Sequence, residues 1–317
     1  MIETINRLGQ SRTPFFFLID FECRHPLILP ADQLDDSIRF KIGSKEWRND
    51  LAPIPPRPDL IPLRTSKSDY LAKFHQLQEE IRAGNSYLCN LTTATPLACS
   101  ASTEAIYSWA EAPYKLWLRD RLVLFSPEPF VRIQNNRIYT YPMKGTIDAS
   151  LPDAATKLLS DPKELAEHTM TVDLLRNDLS IVAKRVRVQR FRYLEKINSA
   201  RGSLLQTSSE ISGELPEDWQ DRLGEIITHL LPAGSVSGTP KRRTTQIIAE
   251  IEGEARGYFT GVLGWYEDGF LESGVAIRYI EERPEGLFYR SGGGITADSD
   301  PDKEYDELIA KIYLPTA

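Results

Sequence analysis

Two strand patterns joined by a tight turn occupy residues 258–280, which read YFTGVLGWYEDGFLESGVAIRYI. Aromatic and β-branched residues are frequent on both sides of the turn, from Tyr258 to Trp265 and from Phe270 to Ile280. The pair Asp268-Gly269 stands between the two halves, and Asp-Gly favours a two-residue hairpin turn because both positions tolerate a positive φ. The stretch therefore predicts a long antiparallel hairpin.

Strand pairs and helical patterns alternate along the rest of the chain. Two shorter hairpins are predicted, Leu116–Leu118 with Leu122–Phe125, and Val131–Gln134 with Arg137–Tyr141. Apolar residues at helical spacing predict helices that begin at Ser66 or Ser68, at Asp161-Pro162, before Leu223, at Thr239-Pro240 with Thr239 as N-cap, and at Asp300-Pro301. Long hairpins interleaved with helices, without a regular strand–helix–strand repeat, predict an α+β fold.

A proline-rich stretch separates the N-terminal segment from the rest of the chain. Residues 50–63 contain Pro53, Pro55, Pro56, Pro58 and Pro62. Such a density of proline excludes a helix or a central strand, so the stretch is interpreted as a stiff linker. Residues 1–64 are too few to fold alone, and we expect them to pack on a main body formed by residues 65–317. Strands are predicted in the first segment at Phe15–Phe21 and Ile38–Ile42.

Composition and charge argue against several classes of protein. The chain has 317 residues, 41% hydrophobic, and a formal net charge of -7, whereas a nucleic-acid-binding protein usually has a basic face. The apolar run Phe15–Ile19 is too short for a signal sequence or a membrane span. Cys23, Cys89 and Cys99 lack the spacing of a zinc site or a disulfide framework. We therefore expect a cytoplasmic protein that binds neither nucleic acid nor membrane, in which a local positive pocket can still hold an anionic small molecule.

Two carboxylates lie one turn apart on the last predicted helix. Glu304, Glu307 and Lys311 are spaced i, i+3 and i+7 and share one face. Two such carboxylates can share a hard cation such as Mg²⁺, and a solvated charged face is the alternative. Just upstream, Ser291-Gly-Gly-Gly-Ile295 is expected to connect a strand to this helix. Its glycines either allow close approach of the backbone to a ligand or simply form a tight connection.

A third acidic residue, Glu167, is embedded in an apolar helix. Apolar side chains at Leu165, Met170 and Val172 lie on several sides of it, so we expect the helix to be well buried. A buried acid needs a partner, which would be either a metal ion or a basic residue such as Arg176. The neighbouring His168 is expected to be a packed or surface residue.

Lys144 and Glu128 follow two neighbouring predicted strands. Lys144 lies in Tyr141-Pro-Met-Lys-Gly-Thr146, where Pro142 ends regular strand pairing, and Glu128 lies in Ser126-Pro-Glu128. A lysine in a partly dry pocket can act as a nucleophile, because desolvation favours its neutral amine. The two residues are therefore candidates for an acid and a nucleophile, and an ordinary surface charge is the alternative for Lys144.

In their order along the chain, these segments resemble the chorismate-utilising enzymes, the family of anthranilate, aminodeoxychorismate, isochorismate and salicylate synthases. The resemblance extends from about Ser66 to Lys311. Its blocks are Ala83–Thr92, Ser126-Pro-Glu-Pro-Phe130, Pro142-Met-Lys-Gly-Thr146, Val172-Asp-Leu-Leu-Arg-Asn-Asp178, Pro232–Lys241, Arg256-Gly-Tyr258, Val275-Ala-Ile-Arg278, Ser291–Ser299 and Glu304-Tyr-Asp-Glu307.

The resemblance implies both a fold and a site. The fold is a large α+β domain in which two mostly antiparallel sheets pack face to face with helices outside. The site would bind Mg²⁺ through Glu167 and Glu307 with Glu304 close by, and the ion would bind the ring carboxylate of chorismate. Glu128 matches the general acid that helps the C4 hydroxyl depart. The positions matched to substrate binding are Gly145, Thr146, Ser235, Tyr258, Arg278, Gly292, Gly294 and Lys311, of which Tyr258, Arg278, Lys311 and the backbone of the two glycines would hold carboxylates.

Lys144 decides which subfamily the resemblance favours. Aminodeoxychorismate synthases usually have lysine here, whereas anthranilate synthases usually have alanine. Addition of a lysine amine at C2, followed by displacement with ammonia at C4, returns the new substituent to C4, so Lys144 is assigned as a covalent nucleophile. The implied product is 4-amino-4-deoxychorismate, a precursor of p-aminobenzoate and folate. Leu88 occupies the position of a water-activating lysine in the isochorismate and salicylate enzymes, which disfavours those two activities.

The implied reaction also needs a source of ammonia. The chain contains no recognisable Cys–His glutaminase pair, so the resemblance implies a separate glutamine amidotransferase as partner. Two alternatives stay open, an anthranilate synthase component I and a catalytically idle member of the family. The departures Leu88 and Gln206, the latter at a position where histidine is common, keep the idle alternative open. The presence of Glu128 and Lys144 speaks against it.

Overall fold

The computed structural model describes residues 1–48, 56–63, 66–199 and 202–315, so Pro53 and Pro55 of the predicted linker lie outside the described residues. The helices are α1 Ile2–Gln10, α2 Lys67–Arg82, α3 Thr103–Trp109, α4 Ala154–Ser160, α5 Pro162–Val182, α6 Leu223–Leu230, α7 Lys241–Glu252 and α8 Pro301–Ala310. The strands are β1 Phe15–Ile19, β2 Leu27–Pro30, β3 Ile38–Ile42, β4 Lys45–Trp47, β5 Ile61–Pro62, β6 Leu88–Ala98, β7 Tyr114–Leu118, β8 Leu122–Ser126, β9 Pro129–Gln134, β10 Arg137–Thr140, β11 Met143–Asp148, β12 Lys184–Ser199, β13 Gly202–Glu214, β14 Gly238–Thr239, β15 Val262–Glu267, β16 Phe270–Val275, β17 Tyr279–Arg283 and β18 Gly286–Ile295.

The strands form two large antiparallel sheets. The first has the order β11-β13-β10-β9-β16-β15-β1-β2, with β12 also paired to β13. The second has the order β14-β6-β18-β17-β8-β7-β3-β4, with β5 also paired to β6. One core lies between the sheets, where Phe16 of β1 stacks on Phe40 of β3 with ring centroids 5.0 Å apart. The predicted α+β fold with two packed sheets is confirmed.

The N-terminal segment contributes strands to both sheets. In the first sheet, β1 lies between β15 and β2, and Phe15 of β1 pairs with Tyr266 of β15. In the second sheet, β3 lies between β7 and β4. All five residues of β1 are buried, which fits a strand covered on both faces.

Helices cover the outer faces of the two sheets. Helices α1, α5 and α6 contribute to the apolar cluster on the first sheet, which includes Ile5, Leu179 and Ile227. Helices α2, α7 and α8 contribute to a cluster against β6 and β18 of the second sheet. Among the described residues, no helix is both long and apolar enough to cross a membrane.

The local signals in the sequence place most of these elements correctly. The side chain of Ser66 accepts a hydrogen bond from the backbone N–H of Asp69 and caps α2, and Asp161 and Asp300 cap α5 and α8, each followed by a proline. The hairpin β15–β16 turns at Asp268-Gly269, where both residues have a positive φ. The exception is α7, whose N-cap is Pro240 rather than Thr239, because Thr239 pairs with Leu88 in β14.

Two further predictions are wrong. The glycines 292–294 do not connect a strand to a helix but lie within β18, where they pair with residues 90–92 of β6. Helix α5 is not buried on several sides, since Leu165 and Met170 are 42% and 41% exposed. Its buried face is a narrow stripe that includes His168, Val172 and Leu179.

Two of the places where the chain passes from one sheet to the other lie side by side. Between β8 and β9 it leaves the second sheet for the first, and between β16 and β17 it returns. The two crossings are hydrogen-bonded to each other, because Val275 N–H donates to Glu128 O at 3.0 Å and Phe125 N–H donates to Arg278 O at 3.1 Å. Glu128 and Arg278 thus lie side by side where the sheets separate.

Candidate active site

A cavity of about 620 Å³ lies beside these crossings, bounded also by β11, α5, β18 and α8. Its volume is in the usual range for sites that bind small molecules. Twelve of the thirteen predicted site residues line it: Glu128, Lys144, Gly145, Thr146, Glu167, Ser235, Arg278, Gly292, Gly294, Glu304, Glu307 and Lys311. Residues from widely separated parts of the chain therefore meet in one cavity.

Tyr258 is the predicted site residue that lies elsewhere. It lines a separate cavity of about 380 Å³ together with His25 and Arg121. Its hydroxyl donates to the backbone carbonyl of His25 at 2.7 Å, and Arg121 lies over its ring. The expectation that Tyr258 holds a substrate carboxylate does not fit this geometry, because its hydroxyl is already bonded outside the main cavity.

Glu128 is held at the first crossing with its side chain open to the cavity. The hydroxyl of Ser235 donates to its Oε1, and its own N–H donates to Ser126 Oγ at 3.1 Å. Burial raises the pKa of the Glu128 carboxyl, while the hydrogen bond from Ser235 and the charges of Lys144 and Arg278 oppose that rise without cancelling it. A carboxyl with a raised pKa is suited to donate a proton.

Lys144 lies on β11 at an irregularity of the strand. The pairing of β11 with β13 shifts between Lys144 and Thr146, and Gly145 between them has a φ of +71°. The positive φ of Gly145 favours glycine at this position, and a Cβ there would lie 2.5 Å from Glu164 Oε2 unless that side chain moved. On the opposite strand, the hydroxyl of Thr207 donates to the carbonyl of Lys144. This bulge sets the direction of the lysine side chain toward the cavity.

Arg278 brings a buried positive charge to the second crossing. Its backbone has a φ of +52°, an uncommon conformation for a residue with a side chain. Its Nε is buried and has no hydrogen-bond partner among the described residues. A buried donor without a partner is costly in a folded protein, and a bound carboxylate would satisfy it.

The glycine strand offers backbone groups to the same cavity. Strand β17 pairs with β18 only as far as Arg290, so within the described chain residues 291–295 of β18 pair with β6 on one side alone. The carbonyl of Gly292 accepts a hydrogen bond from Lys311 Nζ at 2.8 Å. Side chains larger than glycine do not fit at position 292, where a Cβ would lie 2.7 Å from Leu91 O. The cavity therefore meets an unpaired strand edge beside an ammonium group.

Four glutamates form an acidic wall, two from α5 and two from α8. Glu164 and Glu167 lie one turn apart on α5, and Glu304 and Glu307 lie one turn apart on α8. Burial raises the pKa of Glu304, and the charge of Glu307 adds to this rise. Burial also acts to raise the pKa of Glu307, but the ammonium of Lys311, 2.8 Å away, outweighs it and lowers that pKa.

The chemistry of this wall suits a hard divalent cation. Carboxylate oxygens are the ligands that Mg²⁺ prefers, and crowded carboxylates are relieved by a cation between them. Each predicted ligand has a polar partner in the protein: Glu167 has Lys163 at 3.8 Å, Glu304 has Ser299, and Glu307 has Lys311. Within the described ranges, no three His, Cys, Asp or Glu side chains form a group that could hold a metal ion. The donors therefore fit the ion chemically without being assembled around it.

Two features of the site were missed from the sequence. Glu164 is not among the predicted site residues, although with Glu167 it repeats on α5 the spacing of Glu304 and Glu307 on α8. The bond from Ser235 to Glu128 joins residues 107 positions apart, and no local signal could have indicated it. His168 was expected to be a packed or surface residue, and it is fully buried with Nε2 at 2.7 Å from Ser209 Oγ.

Comparison with known proteins decides the family. A family model described as chorismate binding enzyme matches residues 13–316. The chain belongs to the chorismate-binding enzyme family. The match begins two residues before β1 and so includes most of the N-terminal segment.

Individual members of the chorismate-binding family differ in how much of their length the chain spans. A Haemophilus influenzae protein described as an uncharacterized PabA-like protein is 50% identical over 320 residues, which cover 99% of this chain and 96% of the relative. Aminodeoxychorismate synthase component 1 of Escherichia coli is 31% identical over 263 residues, 78% of this chain and 52% of that protein. The crystal structure of anthranilate synthase component I from Streptococcus pneumoniae superposes with a TM-score of 0.67 at 27% identity, over 82% of this chain and 59% of that one.

Proposed function

We propose that the protein aminates chorismate at C4, as an aminodeoxychorismate synthase component I. The observation that carries the proposal is that Lys144 and Glu128 line one cavity. Burial raises the pKa of the Glu128 carboxyl, which favours the form that can donate a proton, and the bulge at Gly145 directs Lys144 to the same space. This arrangement supports a nucleophile and an acid that act on the same substrate.

The reaction would proceed by two allylic displacements. In the first, the amine of Lys144 bonds to C2, both conjugated double bonds of the ring shift, and the C4–O bond breaks as Glu128 protonates the departing hydroxyl to water. The secondary ammonium then returns a proton to Glu128. In the second, ammonia bonds to C4, both double bonds shift back, and the C2–N bond to Lys144 breaks as Glu128 protonates the departing amine. Glu128 finally takes a proton from the new ammonium, so that chorismate and ammonia give 4-amino-4-deoxychorismate and water.

The remaining polar groups would hold the two carboxylates of chorismate. Arg278 offers the unpartnered Nε, and Lys311 with the free edge at Gly292 and Gly294 offers an ammonium beside backbone groups. Glu167 and Glu307, with Glu304 close by, would hold Mg²⁺, which when bound neutralises charge on the ring carboxylate. Gly145, Thr146 and Ser235 line the side where the acid and the nucleophile lie.

We further propose a glutamine amidotransferase as partner and the supply of p-aminobenzoate for folate as the cellular role. Two of the proteins above are named as first components, which supports a second component that delivers ammonia. Free ammonia would replace that component in the test tube. The protein would act in the cytoplasm, where chorismate and such a partner meet.

Product analysis tests the proposal. Purified protein with chorismate, Mg²⁺ and an ammonium salt is expected to form aminodeoxychorismate, which becomes p-aminobenzoate only after a lyase is added. Substitution Lys144→Ala is expected to lower the rate by more than about 10³-fold, because the covalent step is lost. Undiminished product formation by that variant would exclude the nucleophile.

Anthranilate synthesis is the second candidate function. It is favoured by the structural likeness to anthranilate synthase component I at 27% identity. Ammonia would then bond directly to C2, and Lys144 would have no covalent role. Anthranilate appearing without any lyase would replace the first proposal with this one.

A further inference from the structure

A third and much smaller cavity, of about 60 Å³, lies behind the side chains of Glu128 and Lys144. We call it the inner chamber; Val131, Leu175, Asp178, Leu179 and Val275 contribute to its lining. Four other residues, Glu128, Lys144, Thr171 and Ser235, line both the chamber and the main cavity. The chamber has room for one or a few molecules of the size of water and is too small for chorismate.

The lining of the inner chamber combines apolar side chains with a carboxylate. Asp178 lies in the wall, and its Oδ2 accepts a hydrogen bond from Lys241 Nζ at 2.8 Å. Carboxyl oxygens accept hydrogen bonds from N–H groups, whereas the apolar surface disfavours a full charge without a partner. These features suit a small neutral molecule that carries N–H donors.

The position of the chamber matters for the second displacement of the proposed reaction. The carbon attacked in that step is C4. Glu128, which protonates the group leaving C4 in the first step, lines both the chamber and the main cavity. Water attacking the same carbon from the open cavity would merely restore a hydroxyl. A nucleophile held in the chamber would reach C4 past Glu128 without crossing that water.

We propose that the inner chamber is the ammonia-binding site of the enzyme. The inference rests on the proposed amination and adds the place from which ammonia attacks. Ammonia leaves the chamber as the C4–N bond forms and the C2–N bond to Lys144 breaks. Nothing else is consumed in this step, since Glu128 supplies the proton for the departing amine and recovers one from the new ammonium.

Filling the chamber tests the proposal. Leu175→Phe enlarges a side chain in its wall, and Leu165→Phe makes the same change on the same helix at a position 42% exposed. Rates are measured with varied ammonium chloride and saturating chorismate, then with chorismate varied. The KM for ammonia is expected to rise about tenfold in Leu175→Phe, with the KM for chorismate unchanged. The proposal would be wrong if the KM for ammonia were equal in the two variants. It would also be wrong if Leu175→Phe raised the KM for ammonia and the KM for chorismate in parallel.

A second variant and a binding measurement keep the outcome clear if Leu175→Phe folds poorly. Ala233→Val fills the chamber from the opposite segment, and it should raise the same constant. Crystals soaked in methylammonium chloride should show density in the wild-type chamber and none in the filled variants. Empty density, or density that persists in the filled variants as an adventitious additive only, counts against the proposal. If the product is anthranilate, the proposed function is wrong. The KM for ammonia in the filled variants then still tests whether the chamber binds ammonia.

Discussion

Two arginines, Arg256 and Arg278, are used in opposite ways. Arg256 is 1% exposed, and all its guanidinium nitrogens are bonded: Nε and Nη2 donate to the carboxylate of Glu252, Nη1 donates to Val236 O and Nη2 also donates to Asn90 O. Arg278 lies beside the cavity and is hydrogen-bonded to Tyr313, but its Nε is buried and has no partner among the described residues. The first arginine is part of a closed network, and the second is open on the side of the cavity.

This difference separates stability from binding. A buried charge with a complete set of partners holds its neighbours in place, and removing one partner leaves the other charge uncompensated. A buried donor without a partner adds little to stability and retains its capacity to bind a ligand. We therefore expect changes at Arg256 to unfold the protein and changes at Arg278 to lower its activity.

The largest effect is expected for Arg256→Met. The carboxylate of Glu252, 5% exposed, would lose its partner, and the free energy of unfolding should fall by about 3–5 kcal/mol. Urea denaturation followed by circular dichroism measures this change. The double variant with Glu252→Gln should recover part of the loss, and a single variant as stable as the wild type would contradict the closed network.

A somewhat smaller effect, on activity alone, is expected for Arg278→Met. Loss of the open guanidinium should lower kcat/KM by about 10²–10³-fold, as for other donors aimed at a substrate anion. Its unfolding curve should stay close to that of the wild type. If Arg278→Met lost as much stability as Arg256→Met, the contrast between the two arginines would be wrong.

Thr207→Val extends the comparison from the two charged arginines to a neutral hydroxyl that holds the backbone of Lys144. The variant removes the hydroxyl that donates to the carbonyl of Lys144, and a hydrogen bond of this kind contributes about 0.5–1.5 kcal/mol. We expect kcat to fall about tenfold, since the bulge that directs Lys144 is loosened. Thr207→Ser keeps the hydroxyl and serves as the control, so equal rates for the two variants would exclude a positioning role.

The smallest effect is expected for the stability of Glu128→Gln as pH changes. Burial raises the pKa of Glu128 in the folded protein, so the folded state binds this proton more tightly than the unfolded chain does. The stabilising contribution is complete below the ordinary glutamate pKa of about 4.3 and is lost as pH rises through the raised pKa. Glutamine does not ionise, so Glu128→Gln should be more stable than the wild type only at pH values above the raised pKa of Glu128. Thermal melts at pH 4 and pH 8 measure this difference.

The sequence predicted elements well where the signal was local. Caps at Ser66, Asp161 and Asp300 and the turn at Asp268-Gly269 depend on contacts within a few residues, and the structure has all four. The long hairpin of β12 and β13 was missed. Strand β12 pairs with β13 through three irregularities, and residues such as Arg185 and Arg192 have a positive φ, so its sequence lacks a regular alternation.

Errors arose where tertiary pairing overrides the local pattern. The glycines 292–294 resemble a loop in sequence, yet they pair along β6. The backbone of β6 is so close there that no Cβ fits at position 292. Tyr258 matched a site position by motif, but it lies in the turn that precedes β15, and its side chain lines a different cavity. Apolar residues around α5 predicted burial, although no element covers the side of Leu165 in the described chain.

By itself, the sequence determined the three predicted hairpins, most of the helix starts and the family, because each depends on residue types and on near neighbours. Only the tertiary structure decided that the two sheet crossings bring Glu128 and Arg278 together, that Ser235 bonds to the acid, and that a chamber lies behind Lys144. The physical reason is that these contacts join residues far apart in the chain. Their geometry follows from sheet packing and burial, which no short stretch of residues encodes.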